Sequence, residues 1–124
     1  MVFRLIFKAF YYFYHICRCA SREDISYEES FRWIKRTTIL ANRAGRVTID
    51  AHGQENLPEK DGFILFPNHQ GLFDVLVFLE SCPRPFAFVI KKEAADIILL
   101  KQVRKALGSL VMDREDIRQS MKVI

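Results

Sequence analysis

Past an apolar run that closes at Pro67, the chain reads Asn68-His69-Gln70-Gly71-Leu72-Phe73-Asp74. An imidazole and a carboxylate five residues apart do not share one face of a helix. Across a corner from strand to loop to helix they can meet. Gly71 permits a tight turn there, and Asp74 falls in the first turn of the following helix, where its charge suits the helix dipole. The carboxylate would then accept from one ring nitrogen, fix the tautomer and leave the other nitrogen to take a proton, which is the work of a general base. The same residues admit a plainer reading, in which Asp74 only charges the helix start and His69 is a polar loop residue. For an isolated His and Asp at this spacing the plainer reading is the better one.

The elements that must position this corner begin near Arg46. Val47, Ile49 and Ala51 alternate with Thr48 and Asp50, a strand pattern that ends at His52-Gly53. Phe63-Ile64-Leu65-Phe66 is wholly apolar and predicts a central strand buried on both faces. Phe86 to Ile90 and Ser109 to Met112 predict two more strands. Helical patterns lie between them, over Asp74 to Glu80 and about Ala94 to Leu107, and another opens at Glu115. The alternation predicts α/β architecture, a mostly parallel or mixed sheet flanked by helices, in a domain over residues 46–124 that is incomplete. In such sheets ligands collect beyond the carboxyl ends of strands, here Asn68-His69, Lys91-Lys92 and Asp113-Arg114.

Two helices are expected before that domain, over residues 1–45. Between Val2 and Ala20, fifteen of nineteen residues are apolar, and Arg4, Lys8, His15 and Arg18 form one polar stripe on a helix, with Tyr11 filling the gap. Nine Lys and Arg against four Asp and Glu give residues 1–46 a charge of +5, while ten against eleven leave the rest at −1. A basic stripe beside a wide apolar face predicts a helix lying in the headgroup layer of an anionic membrane, peripheral on its cytoplasmic side; burial against the domain is the alternative. Lys8 and Arg18 interrupt the run too early for a spanning helix or a secretory signal. Ser26-Tyr27-Glu28-Glu29 has capping-box spacing and opens the second helix, which Gly45 closes.

Composition narrows the classes further. At 124 residues, 50% hydrophobic and 27% charged, the chain is a folding sequence for one domain or part of one. Cys17, Cys19 and Cys82 make no disulfide framework and no metal spacing, and His52 is a turn residue. A nucleic-acid partner is not expected, because the basic residues share a helix with an apolar face too wide to leave in water.

The His69-x-x-x-x-Asp74 segment resembles the first motif of the glycerolipid acyltransferases, specifically the 1-acyl-sn-glycerol-3-phosphate (lysophosphatidic acid) acyltransferase family. The resemblance continues through Glu55-Asn56-Leu57-Pro58, Arg84-Pro85-Phe86 with Ile90-Lys91-Lys92-Glu93, and Lys105-Ala106-Leu107-Gly108 to Met112-Asp113-Arg114. It implies that His69, oriented by Asp74, deprotonates the free hydroxyl of a lysophospholipid, whose oxygen attacks the thioester of acyl-CoA or acyl-carrier protein; neither a metal nor a cofactor is required. It also implies that Arg114, helped by Lys105, binds the acceptor's phosphate. The family's third and fourth motifs would follow downstream of Ile124, so the chain reads as truncated, and little turnover is expected of it alone. The competing reading is a non-catalytic membrane-binding fragment or regulatory paralogue.

Overall fold

The computed structural model describes residues 2–123, and the side chains of all of these except residues 2–5, 117, 120 and 123. Arg4 of the expected polar stripe therefore lies outside the described side chains. The chain divides into two groups of residues, Met1–Ile34 with Pro85–Ile124, and Lys35–Arg84.

In the first group, the apolar sequence after Met1 forms α1 (Val2–Ser21), with Arg18 in its last turn where a cation meets the negative end of the helix dipole. The next helix, α2 (Tyr27–Ala44), opens as its sequence predicts: the Ser26 hydroxyl accepts the Glu29 amide at 3.1 Å, and Glu28 and Glu29 occupy the first turn. β1 (Val89–Lys91) lies parallel to β2 (Leu110–Met112) in the register Val89 to Leu110. α4 (Leu100–Ala106) is the crossover helix between them and packs on α1. It ends where Gly108 takes φ 57° and the Ser109 amide reaches back to Arg104 O at 2.9 Å, which turns the chain into β2. Leu107 is fully buried, Ile16, Cys19, Phe31, Ile34, Ala95 and Ala106 are also buried, and Phe86 sets its ring edge-on to Phe31 at 5.5 Å. α5 (Ile117–Val123) is joined to β2 by the Gln119 side chain, which donates to Val111 O at 2.8 Å and accepts the Asp113 amide at 2.9 Å.

In the second group, the later turns of α2 carry buried Thr38 and Asn42, and α3 (Phe73–Ser81) carries buried Leu79. Asn42 Nδ2 donates to Glu80 Oε2 at 2.6 Å, and Lys35 Nζ to Cys82 O at 2.5 Å. The architecture is thus mixed α/β, with helices and a parallel strand pair.

Several expectations need correction. Val47–Ala51 and Phe63–Phe66 form no strands. In the first, Val47 and Ile49 are half-buried and Thr48 and Asp50 exposed, so the alternation survives that far without a ladder, and it ends at Ala51, which is exposed. In the second, burial on both faces is overturned outright, since Phe66 is 86% exposed and Ile64 58%. A strand needs a partner for its backbone groups, and an apolar run supplies only the propensity. Gly45 does not take the left-handed turn that ends α2. Arg46 does, at φ 58°, while the Val47 amide bonds Asn42 O at 2.9 Å. The helix expected from about Ala94 begins at Leu100, after a single 3₁₀ turn at Lys92–Ala94. The three successive apolar residues Ile97, Ile98 and Leu99 precede it and all stay exposed.

Candidate active site

The corner after Pro67 is built from the loop outward. The His69 amide donates back to Pro67 O at 2.8 Å, which folds the chain as it leaves the extended segment. The Asp74 amide donates to Gly71 O at 3.1 Å, so α3 starts directly behind the loop. The Asp74 carboxylate then points back over that loop. Its Oδ2 accepts the Gln70 amide at 2.7 Å, the Gly71 amide at 3.0 Å and His69 Nδ1 at 2.9 Å. Asp74 lies in the first turn of α3, where its charge also suits the helix dipole, and the two amides it accepts precede the helix.

The electrostatics follow from those contacts. The Gln70 amide above all, then the Gly71 amide, and His69 less strongly, hold the Asp74 carboxyl below the ordinary carboxylate range. An ionised carboxylate only accepts, so Nδ1 carries a proton, and in the neutral imidazole Nε2 presents a lone pair. The His69 side chain is 52% exposed. A hydroxyl brought to Nε2 can therefore lose its proton to a base whose other nitrogen is already oriented.

Arg114 and Lys105 belong to the other group of residues. Arg114 sits exposed in the loop between β2 and α5, a loop pinned by the Glu115 amide to Asp113 Oδ1 at 3.1 Å and the Gln119 amide to Asp116 Oδ1 at 3.0 Å. Asp113 is held by Lys92 at 2.7 Å, and that pair keeps the Asp113 carboxyl low. Among the described residues no ion pair of the Arg114 guanidinium is present, which leaves its fork open to an anion. Lys105 is exposed in the last turn of α4 and lines an open cleft of about 370 Å³ with Cys19, Arg22, Glu23 and Tyr27; Arg114 is not in its walls. Among the described residues no group of three or more His, Cys, Asp or Glu side chains could hold a metal ion.

α1 presents two apolar faces. One carries Ile16 and Cys19, buried at the packed end of the helix. The other is uncovered: Phe7, Phe10 and Tyr14, at the spacing of one helix face, are 72%, 69% and 62% exposed. Lys8 and Arg18 are exposed beside them. His15, expected among the solvated residues of the polar stripe, instead stacks on Trp33 with centroids 4.0 Å apart and planes 9° apart, and Tyr11 stands edge-on to it. The flat indole of α2 offers an imidazole a better surface than water does. No helix of the described residues is long and apolar enough to cross a membrane.

The two backbone amides that fix Asp74 were not read from the sequence. The turn does not require the glycine expected to permit it: Gly71 lies outside the left-handed region, and a Cβ there would meet nothing within 4 Å.

Residues 48–124 match the family model described as Acyltransferase. Over 74 residues, the chain is 28% identical to the 1-acyl-sn-glycerol-3-phosphate acyltransferase of Borreliella burgdorferi, a match covering 60% of this chain and 30% of that protein. No solved structure matches the chain.

Proposed function

Because the chain belongs to the acyltransferase family, we propose that it carries the base of a lysophospholipid acyltransferase, moving an acyl group from acyl-CoA or acyl-carrier protein to the free hydroxyl of an acceptor such as 1-acyl-glycerol-3-phosphate. The observation that carries this reading is the 2.9 Å bond between His69 Nδ1 and Asp74 Oδ2. His69 Nε2 takes the hydroxyl proton as the oxygen attacks the thioester carbonyl, and returns it to the departing thiolate when the tetrahedral intermediate collapses. The products are a diacyl lipid, phosphatidic acid for the phosphate acceptor, and free CoA or carrier thiol. The substrate oxygen is the nucleophile, so the pair does for a lipid what a His-Asp pair does for an enzyme serine. The open guanidinium of Arg114 binds the acceptor phosphate, with Lys105 as the second cation. The uncovered face of α1, rimmed by Lys8 and Arg18, seats the protein peripherally on an anionic membrane at its cytoplasmic side, where the acceptor lipid resides.

The match spans 30% of the length of the curated relative, so the test places residues 48–124 in that protein's frame. A chimera carrying them in place of the aligned segment is assayed for phosphatidic acid from an acyl-CoA and 1-acyl-glycerol-3-phosphate. Turnover is expected, falling ~10²–10⁴-fold on His69→Ala. A folded chimera whose turnover ignores His69→Ala rejects the catalytic reading. The second reading, a membrane-binding segment without catalysis, is favoured by the exposed apolar face of α1, and predicts that the 124-residue chain, which carries α1, binds anionic vesicles while the chimera shows no turnover.

A further inference from the structure

Within residues 35–84 one side chain closes a loop whose far end is the His69–Asp74 corner. The chain enters along Pro58–Phe63, runs extended to Pro67, turns at His69–Gly71, returns through α3 and leaves at Cys82–Arg84. The leaving end is tied down on several sides. Lys35 Nζ bonds Cys82 O at 2.5 Å, Gln54 Nε2 bonds Ser81 O, and the Cys82 amide bonds Phe78 O at 2.9 Å. The entering end has no such ties of its own. Among the described residues of 58–68, the side-chain hydrogen bonds to the rest of this group are those made by Arg84. Its Nη2 donates to Pro58 O, and its Nη1 to Glu59 O at 2.8 Å and Asp61 Oδ1 at 3.2 Å. Its Cζ also stands 5.5 Å from the centroid of the Phe63 ring.

We propose that Arg84 is a positioning residue for the His69–Asp74 pair, holding the segment that enters the corner against the segment that leaves it. The geometry asks for a planar fork. Two carbonyls and a carboxylate take three bonds from one rigid group while an aromatic ring stacks near its face, and an ammonium on a flexible stem does not reproduce that. The Arg84 side chain is 31% exposed and Asp61 90%, so the ion pair is screened and the two carbonyl bonds do most of the holding. Released from Arg84, the extended segment has no ladder to keep it in place. His69 then drifts from a carboxylate that stays with α3. The consequence for catalysis rests on the acyl-transfer reading; the consequence for the corner does not.

The test reads the two consequences separately. Amide hydrogen exchange is followed by NMR on the 124-residue chain at Gln70 and Gly71, whose N–H groups bond Asp74 Oδ2, with the Leu110 amide, bonded to Phe88 O, as the reference. Arg84→Ala should speed exchange at Gln70 and Gly71 about tenfold and leave Leu110 within about twofold, the signature of a local opening. Unchanged exchange at the corner overturns the proposal. Should Arg84→Ala also strip the protection of Leu110, Arg84→Lys decides, because it keeps the stem and the charge. Corner exchange about tenfold faster in that variant supports the fork, and wild-type exchange overturns it. In the chimera, Arg84→Ala should lower kcat about tenfold with KM for the acceptor lipid little changed. Indifference of turnover to His69→Ala would remove the acyl-transfer reading and leave the exchange result standing.

Discussion

The His69–Asp74 corner and the β1–β2 pair are held by different forces. The corner is a surface structure: one carboxylate oxygen gathers two amides and an imidazole, and the side chains stay partly open to solvent. The strand pair adjoins a core, with Leu107 fully buried, Ser109 also buried, and the Phe88 amide donating to Ser109 Oγ at 3.2 Å. Hydrogen-bonded geometry at a surface sets chemistry at little cost in stability, and burial sets stability with no chemistry. Substitutions in the two regions should therefore move different observables.

The largest effect belongs to the corner. His69→Ala should cost ~10²–10⁴ in acyl transfer by the chimera while shifting its unfolding free energy by no more than about 0.5 kcal/mol, because an exposed side chain leaves no cavity behind. Thermal unfolding beside the activity assay checks both halves. Leu107→Ala is the converse. It should destabilise the chain by about 2–5 kcal/mol through lost burial and a residual cavity, read from the midpoint of urea unfolding. If the two variants proved equally destabilising, the corner would have to be part of the core, and the distinction would fail.

A smaller effect sharpens the electrostatic side. The Asp74 carboxyl is held low mainly by the Gln70 amide, so the corner should stay assembled in acid that protonates an ordinary aspartate, near pH 3.9. The sign is that of a depressed acid: the contribution is present above the unfolded pKa and lost only as pH falls through the lower folded one. The amide shifts of Gln70 and Gly71, followed by NMR against pH, should show a midpoint below 3.9. Asp74→Asn keeps an acceptor oxygen but not the charge. It should lower turnover about tenfold or more and abolish that titration.

What the sequence disclosed follows the range of the interactions. Local ones were legible. Ser26 with Glu29 announced the start of α2, and His69 with Asp74 a corner whose parts lie five residues apart. Pairing was not. Phe63–Phe66 is more apolar than Val89–Lys91, yet the second forms a strand and the first does not, because a ladder depends on residues distant in the chain. The stacking of His15 on Trp33 was hidden for the same reason: a polar stripe drawn on a single helix cannot show what a second helix brings to it. Arg84 illustrates a third limit. Its neighbours in sequence are prolines, and nothing local shows that its guanidinium reaches back to Pro58 and Glu59.

The smallest prediction sets two helix ends side by side. α4 and α2 finish with the same hydrogen-bond geometry, the Ser109 amide to Arg104 O and the Val47 amide to Asn42 O, each with one residue in the left-handed region between them. In α4 that residue is Gly108; in α2 it is Arg46, while Gly45 stands one position early and unused. A side chain with a Cβ costs ~1–2 kcal/mol in that conformation, and glycine gives back ~0.5–1 kcal/mol by loosening the unfolded chain. Arg46→Gly should thus stabilise the chain by roughly 0.5–1 kcal/mol in urea unfolding, whereas Gly108→Ala, at φ 57°, should destabilise it by about as much. Opposite signs at two ends of equal geometry would show that the backbone turn, and not the surrounding packing, sets the preference for glycine there. Destabilisation by Arg46→Gly would mean that the arginine side chain contributes contacts worth more than the strain of its backbone.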